Sequence, residues 1–218
     1  MALHTFETTT MMSATTPVSA PFTPSDWREG LPVLSGSMIT LRELRVSDAA
    51  DLLAHLGTAE VTRLISPPPP TVDGFEKFIS WTNRQRAAGA SVAYGITLKG
   101  TDTVIGLFQV RSLKPGFDMA EWGFALGSDF WGTGIFQDAA QLVLDFAFDV
   151  LGVHRLEAKA AVKNGRGNGA LAKLGAVQEA ILRRSFLRNG VYLDQACWTI
   201  LRSAWSEIRS TRSVVVLH

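Results

Sequence analysis

The segment between residues 119 and 151 constrains the fold of this 218-residue chain more than any other. From residue 135 to residue 151 there is no glycine or proline, and the polar positions recur every three or four residues: Asp138, Gln141, Asp145 and Asp149. This spacing predicts one helix with a single polar stripe, packed on most of its circumference. The preceding residues, 119–126, are apolar and aromatic enough to predict a strand.

A glycine-containing turn, Gly132-Thr133-Gly134, joins this strand to this helix. The first amides of a helix have no acceptor within the helix, and the helix dipole adds about half a positive charge there. The two glycines remove the Cβ atoms that would keep a diphosphate away from those amides. A Gly-x-Gly pair also suits an ordinary structural turn, so by itself it leaves both interpretations open.

Two other phosphate-binding motifs fit this turn poorly. A P-loop ends in Gly-Lys-Ser/Thr, whereas Gly134 is followed by Ile135 and Phe136. The dinucleotide fingerprint has a third small residue, whereas this chain has Gln137, and Glu157 stands near the start of the next predicted strand instead of at its end. A dinucleotide-binding oxidoreductase therefore remains only as a weak alternative.

The rest of the chain predicts a single domain over residues 37–207, between a flexible leader (1–36) and a C-terminal tail (208–218). The predicted order is β-α-α-β-β-β-α-β-α-β-β. The strands are expected at 37–45, 92–98, 103–110, 119–126, 154–162, 177–187 and 192–201, and the helices at 48–56, 72–88, 135–151 and 167–174.

Composition excludes several classes of function. Twenty-one basic and 20 acidic residues nearly cancel, so no overall charge favours nucleic acid or an anionic membrane. A single cysteine, Cys197, and four histidines without ligand spacing argue against a metal site. No apolar run reaches the roughly 18 residues of a membrane span, and no secretory signal is apparent, so we expect a cytoplasmic protein. Basic residues cluster late in the chain: Arg155, Lys159, Lys163, Arg166, Lys173, Arg183, Arg184 and Arg188. The cluster fits either a solvated face or a surface that binds an anionic ligand.

Residues 130–139, Phe-Trp-Gly-Thr-Gly-Ile-Phe-Gln-Asp-Ala, resemble the acetyl-CoA motif of the GCN5-related N-acetyltransferase (GNAT) superfamily, in its RimJ/RimL-like branch. Three other segments match that branch in order and spacing. They are residues 120–126, Asn164 followed by residues 171–175 (Leu-Ala-Lys-Leu-Gly), and the last hairpin with Gly190 and Asp194. The resemblance extends over residues 37–207.

The resemblance implies an α/β (α+β) fold with a mixed, largely antiparallel, centrally splayed sheet flanked by helices. It implies acetyl-CoA as co-substrate, no metal, and direct attack of a primary amine, from a protein N-terminus or a small molecule, on the thioester. A monomer or homodimer is expected. The strands splayed apart are those at 119–126 and 154–162, and the coenzyme's pantetheine arm is expected to pair with the first of them.

The same resemblance implies the site residues. Glu121 is the candidate general base, directly or through water, unless it serves only as an ion-pair or exposed strand residue. Asn164 is the candidate partner of the pantetheine or of a catalytic water, unless it is only a turn residue. The coenzyme-binding residues implied are Phe124, Ala125, Leu126, Trp131, Gly132, Thr133, Gly134, Ile135, Phe136 and Asn164.

Two residues depart from the family pattern. Phe136 stands where the family usually has a small residue facing the coenzyme, and Gly167 stands where the branch often has serine near the thiol. The phenyl ring would narrow the site, and the glycine removes a hydroxyl. A non-catalytic acyl-CoA-binding module therefore remains the second interpretation of the sequence.

Overall fold

The structure is a computed structural model that describes residues 26–215. The strands are β1 (Leu34–Ser35), β2 (Ile39–Glu43), β3 (Ser91–Leu98), β4 (Val104–Ser112), β5 (Met119–Leu126), β6 (Arg155–Ala161), β7 (Val177–Arg188) and β8 (Val191–Leu201). The helices are α1 (Ala49–Leu56), α2 (Ala59–Thr62), α3 (Val72–Ala87), α4 (Ile135–Asp145), α5 (Gly165–Lys173) and α6 (Arg202–Val215).

The eight strands form one sheet in the order β1-β2-β3-β4-β5-β6-β8-β7. Every neighbouring pair is antiparallel except β5 and β6, which run parallel. These two strands pair only at Met119–Arg155, Ala120–Leu156 and Glu121–Glu157, and beyond Glu121 they separate. The prediction of a largely antiparallel sheet that is splayed at its centre is therefore confirmed.

Successive side chains of a strand point to opposite faces of the sheet. Apolar side chains therefore lie on both faces, and helices cover them. On β3, Val92 and Tyr94 point into the larger core cluster, which contains α4, whereas Ala93 points into a second cluster with α1 and α3. This two-sided packing explains why β3 is buried almost along its whole length.

The polar stripe of α4 is used for tertiary contacts. The Asp138 carboxylate accepts hydrogen bonds from the amides of Ser37 and Met38, at 3.0 and 2.7 Å. Farther along, Asp145 accepts from the Trp205 indole of α6 at 2.8 Å. The α-helix ends at Asp145 and continues as one π-helical turn, Phe146–Val150, so the prediction of a regular helix through residue 151 is wrong in its last turn.

Both predicted ends of the domain need correction within residues 26–215. Trp27 is buried at 3% exposure, its ring is 5.6 Å from that of Phe117, and β1 pairs with β2. Residues 26–36 are therefore folded onto the domain, while the rest of the predicted leader lies outside the described residues. At the other end, α6 extends through most of the predicted tail. The apolar side chains of these segments find their partners far away in sequence, which local patterns do not reveal.

Candidate functional site

The turn before α4 holds its two glycines in left-handed backbone conformations, with φ of 79° at Gly132 and 89° at Gly134. Other L-residues adopt this region at a cost of about 1–2 kcal/mol, so the turn depends on glycine. Gly134 is the residue that caps the start of α4, and it supplies no side chain to do so. Both glycines are exposed, so the backbone here is accessible to a ligand.

The amides at this helix start remain available. The N–H groups of Gly132, Gly134 and Phe136 have no hydrogen-bond acceptor within residues 26–215. The nearest side-chain oxygen, Thr133 Oγ1, is 3.4 Å from the Ile135 nitrogen, a long contact, and this hydroxyl donates instead to the Phe130 carbonyl at 2.7 Å. The start of α4 therefore has the unsatisfied donors that an anion requires.

A cavity of about 670 Å³ lies beside this turn. Its volume is in the range of pockets that bind small molecules and cofactors. Three groups of residues line it: residues 60, 61 and 63–65 around α2; residues 124–126, 130–132, 134, 136 and 137 from β5 to α4; and residues 163–167, 169, 170 and 173 around α5. Of the ten predicted coenzyme-binding residues, Phe124, Ala125, Leu126, Trp131, Gly132, Gly134, Phe136 and Asn164 line the cavity, whereas Thr133 and Ile135 do not.

Four basic residues line this cavity: Arg63, Lys163, Arg166 and Lys173. All four are exposed, and within residues 26–215 none forms an ion pair. The Arg166 guanidinium lies 4.2 Å from the centre of the Trp131 ring, a cation–π contact that places positive charge next to the glycine turn. Of the late basic cluster, Lys163, Arg166 and Lys173 thus face the cavity, whereas Arg155 and Lys159 are in ion pairs.

The side chain of Asn164 caps α5. Its Oδ1 accepts a hydrogen bond from the Gly167 amide at 3.0 Å, and the residue also lines the cavity. A Cβ atom on Gly167 would lie only 2.8 Å from Asn164 Nδ2. The Asn164 side chain fills the space beside residue 167, so a serine there would displace the cap. This explains why a glycine stands at position 167.

Glu121 lies at the point where β5 leaves β6, but it does not line the cavity. Its Oε2 is 2.9 Å from Arg111 Nη2 and 3.6 Å from Lys159 Nζ. The ion-pair role named above is therefore present in the structure, and the catalytic role remains a prediction. Asp194, the hairpin residue of the resemblance, accepts a hydrogen bond from the Arg184 amide at 2.7 Å and so fixes the β7–β8 hairpin.

Aromatic rings pack behind the cavity wall. Phe136 contacts Phe124, with ring centres 4.6 Å apart; Phe136 stacks on the buried Phe108, and the Phe124 ring is tilted against it. Trp131 donates its indole N–H to the Leu126 carbonyl at 2.9 Å, which ties the glycine turn to the end of β5. The unusual phenyl ring of Phe136 is thus part of an aromatic cluster and also part of the cavity surface.

Asp138 attaches the loop between β1 and β2 to the first turn of α4. Burial alone would raise the pKa of its carboxyl, but hydrogen bonds from the Met38 and Ser37 amides outweigh that effect and lower the pKa below its usual value. Met38 Cε would be 3.3 Å from a Cβ atom at Gly134, so this loop packs against the helix start. The carboxylate therefore helps to hold the glycine turn in place.

The sequence did not indicate that residues 60–65 belong to the site. They lie in and just after α2, a four-residue helix that is too short for periodicity to predict, and the other residues that line the cavity begin only at residue 124. Their only local signal is Thr58, an N-cap residue whose hydroxyl accepts from the Val61 amide at 3.3 Å.

A splayed sheet, an uncapped helix start and a cavity lined by basic side chains occur together in this structure. The sequence matches the family described as "Acetyltransferase (GNAT) domain" over residues 38–177. The chain therefore belongs to the GCN5-related N-acetyltransferase family.

Proteins of similar sequence are described as N-acetyltransferases, and solved structures of similar fold are known. The chain is 30% identical to "Probable N-acetyltransferase YjcK" of Bacillus subtilis (strain 168), covering 78% of this chain and 97% of that protein. It is 28% identical to "Uncharacterized N-acetyltransferase p20" of Bacillus licheniformis, over 77% of this chain and 95% of that one. The fold superposes on that of Mycobacterium smegmatis RimJ in complex with CoA-disulfide with a TM-score of 0.70, at 22% identity, covering 78% and 86% of the two chains.

The fold also bears on the alternatives that the sequence left open. A dinucleotide-binding domain needs an open parallel sheet, whereas among the strands of residues 26–215 only β5 and β6 are a parallel pair, so that interpretation is wrong. Within residues 26–215 there is no group of three or more His, Cys, Asp or Glu side chains placed to hold a metal ion. None of the helices in this part of the chain is both long and apolar enough to cross a membrane.

Proposed function

We propose that this protein transfers an acetyl group from acetyl-CoA to a primary amine, of a protein N-terminus or a small molecule, by direct attack. The observation that supports this most is the uncapped start of α4 beside a cavity with four unpaired basic side chains. Acetyl-CoA carries a diphosphate and a 3′-phosphate, so backbone donors and cations in one cavity fit its charge.

The unpaired edge of β5 supports the placement of the pantetheine arm. On its other side β5 pairs with β4 from Ala120 to Leu126, but toward β6 it pairs only as far as Glu121. The β6-facing backbone groups beyond Glu121 are therefore available to an extended ligand that adds to the strand. Phe124, Ala125 and Leu126, all at the cavity, are the residues we assign to this contact.

In the proposed reaction, the neutral amine attacks the thioester carbonyl, the carbon–sulfur bond breaks, and coenzyme A leaves as the thiol. A backbone N–H of β5 donates to the carbonyl oxygen as negative charge develops on it. For an α-amine with a pKa near 7.8, the free energy of deprotonation at pH 7 is about 1 kcal/mol. For a lysine amine with a pKa near 10.4, it is about 4.6 kcal/mol. A weak base is therefore enough to deprotonate an α-amine.

Glu121 is the base that we propose, acting through water because it does not line the cavity itself. Asn164 uses Oδ1 for the helix cap, which leaves its Nδ2 to hydrogen-bond the pantetheine or the water. One observation favours the alternative of a non-catalytic acyl-CoA-binding module. Phe136 presents a phenyl ring to the cavity, where the family usually has a small side chain.

The test is acetyl-CoA binding by calorimetry, followed by coenzyme A release with N-terminal peptides, polyamines and aminoglycosides as acceptors. We expect binding, and release that depends on one class of amine. Binding without release for every amine would favour the non-catalytic module, and absence of binding would reject both.

Glu121→Gln tests the base. Because the ion pairs of Glu121 lie outside the cavity, we expect kcat to fall about tenfold for an α-amine while acetyl-CoA affinity stays within about twofold. Arg111→Gln, which removes the partner of Glu121 and leaves its carboxylate, is the matched control. An unchanged rate in Glu121→Gln at saturating substrates would remove Glu121 from the mechanism.

A further inference from the structure

Glu60 is the one acidic side chain among the cavity-lining residues that the structure describes. It lies on α2, is exposed, and forms no ion pair within residues 26–215. The other carboxylates near the separation of β5 and β6 are already paired, Glu121 with Arg111 and Glu157 with Arg155. An unpaired carboxylate in a cavity that is otherwise basic requires an explanation.

The proposed reaction supplies two ligands of opposite charge to this cavity. The phosphates of the donor match Arg63, Lys163, Arg166 and Lys173. The acceptor, in contrast, arrives mainly as an ammonium ion at pH 7, because primary amines have pKa values above that pH. Once the donor's phosphates occupy the basic side chains, Glu60 is the cavity carboxylate left to bind a cation.

The short helix that carries Glu60 is held at both ends. Thr58 caps its start. At its other end, the Thr62 carbonyl accepts two hydrogen bonds from Arg188 of β7, from Nε at 2.9 Å and from Nη2 at 2.7 Å. This contact joins α2 to the β7–β8 hairpin, so Glu60 is presented on a fixed turn and not on a free loop.

We propose that Glu60 binds the ammonium group of the acceptor, and that Arg188 positions it by fixing α2. The role is binding: the proton that the ammonium must lose before attack goes to the base discussed above. This inference rests on the proposed function, because it assumes an amine acceptor. It differs from the role of Glu121, which would affect the rate of the bound complex and not the affinity for the acceptor.

Glu60→Gln keeps the shape of the side chain and removes its charge. We expect KM for the acceptor to rise about tenfold or more, the usual loss when a hydrogen-bonded charge pair is broken, with kcat and acetyl-CoA affinity within about twofold. The probes are a tetrapeptide with a free α-amine and an amidated C-terminus, and spermidine, of which the better acceptor is used. Glu207→Gln, an exposed acid of α6 outside the cavity lining, is the matched control and should leave every constant unchanged.

Arg188→Gln tests the positioning role. Because it loosens α2 without touching the cavity charge, acceptor KM should rise several-fold while acetyl-CoA affinity is retained, and Arg188→Lys should restore part of the loss. Equal acceptor KM in the wild type and Glu60→Gln would overturn the inference, as would an equal loss of acetyl-CoA affinity in that variant. A wild-type protein that turns over no amine would instead reject the proposed function, and this is established before any variant is compared.

Discussion

Two helix starts face the same cavity, and they differ in how their first amides are satisfied. The start of α5 is capped by its own chain, because Asn164 Oδ1 accepts the Gly167 N–H at 3.0 Å. The start of α4 has no side-chain cap, and Gly134 holds it with a φ of 89°. Both segments are rich in glycine, so composition alone does not distinguish them.

The difference separates a helix start that the protein caps itself from one whose amides remain available to a ligand. A capped amide has its hydrogen bond inside the protein, and an anion would have to displace it. An uncapped, exposed amide is hydrated, so an anion replaces only water and also gains from the helix dipole. The proposed function therefore places the coenzyme diphosphate at the start of α4, whereas the start of α5 is capped by Asn164.

The strongest way to break this comparison is Gly134→Asp. It puts a carboxylate beside the amides assigned to the diphosphate, so we expect acetyl-CoA affinity to fall at least about a hundredfold. The left-handed φ of residue 134 adds a stability cost of about 1 kcal/mol, too small to unfold a typical domain. Calorimetric titration with acetyl-CoA and a thermal melt measure the two effects.

Gly134→Asn is the matched control for that variant, since it has the same shape and a similar backbone cost without the charge. It should retain much more affinity than Gly134→Asp. Acetyl-CoA affinity unchanged by the aspartate would place the diphosphate elsewhere and remove the distinction between the two helix starts.

Asn164→Ala removes the cap of α5 and should lower the free energy of unfolding by about 1 kcal/mol. Chemical denaturation measures this loss. Asn164→Asp keeps an acceptor for the Gly167 amide and should restore the stability, but it lacks the Nδ2 donor proposed to contact the pantetheine or water. A difference in turnover between wild type and Asn164→Asp would show that the capped start also has a chemical role, and equal turnover would leave it purely structural.

The smallest effect is expected from Asp138, which supports the uncapped start from outside. Its pKa is lowered in the folded protein, so its contribution is fully present above its unfolded pKa, near 3.9, and is lost as pH falls through the folded pKa. Asp138→Asn should therefore cost about 1 kcal/mol between pH 5 and 8, and less at lower pH. A cost that did not shrink in acid would assign the contribution to packing instead of charge.

Much of the fold was predictable because its signals are local. The glycine turn, the polar stripe of α4 and the last hairpin with Gly190 each depend on residues within a few positions of one another, and β5 has the predicted bounds. Other features were not predictable. Phe117 as the partner of Trp27, and the helix α6 beyond residue 207, depend on contacts between segments that are distant in the chain.

The candidate site divides in the same way. The sequence indicated the residues of β5 and of the turn before α4, and eight of the ten predicted coenzyme-binding residues line the cavity. It did not indicate Glu60 or Arg63, because α2 is too short to leave a periodic pattern and its contact with Arg188 joins segments 126 positions apart. Nor did it show that Glu121 is paired with Arg111 across β4 and β5.

By itself the sequence determined the conformation of the turn before α4, since glycines at 132 and 134 set the left-handed φ angles locally. Only the tertiary structure decided which of two such starts is capped, where β5 leaves β6, and which charged side chains remain unpaired in the cavity. The physical reason is the distance along the chain over which the interactions act. Backbone conformation follows from the residue and its neighbours, whereas the pairing of strands and charges depends on which distant segments the folded chain brings together.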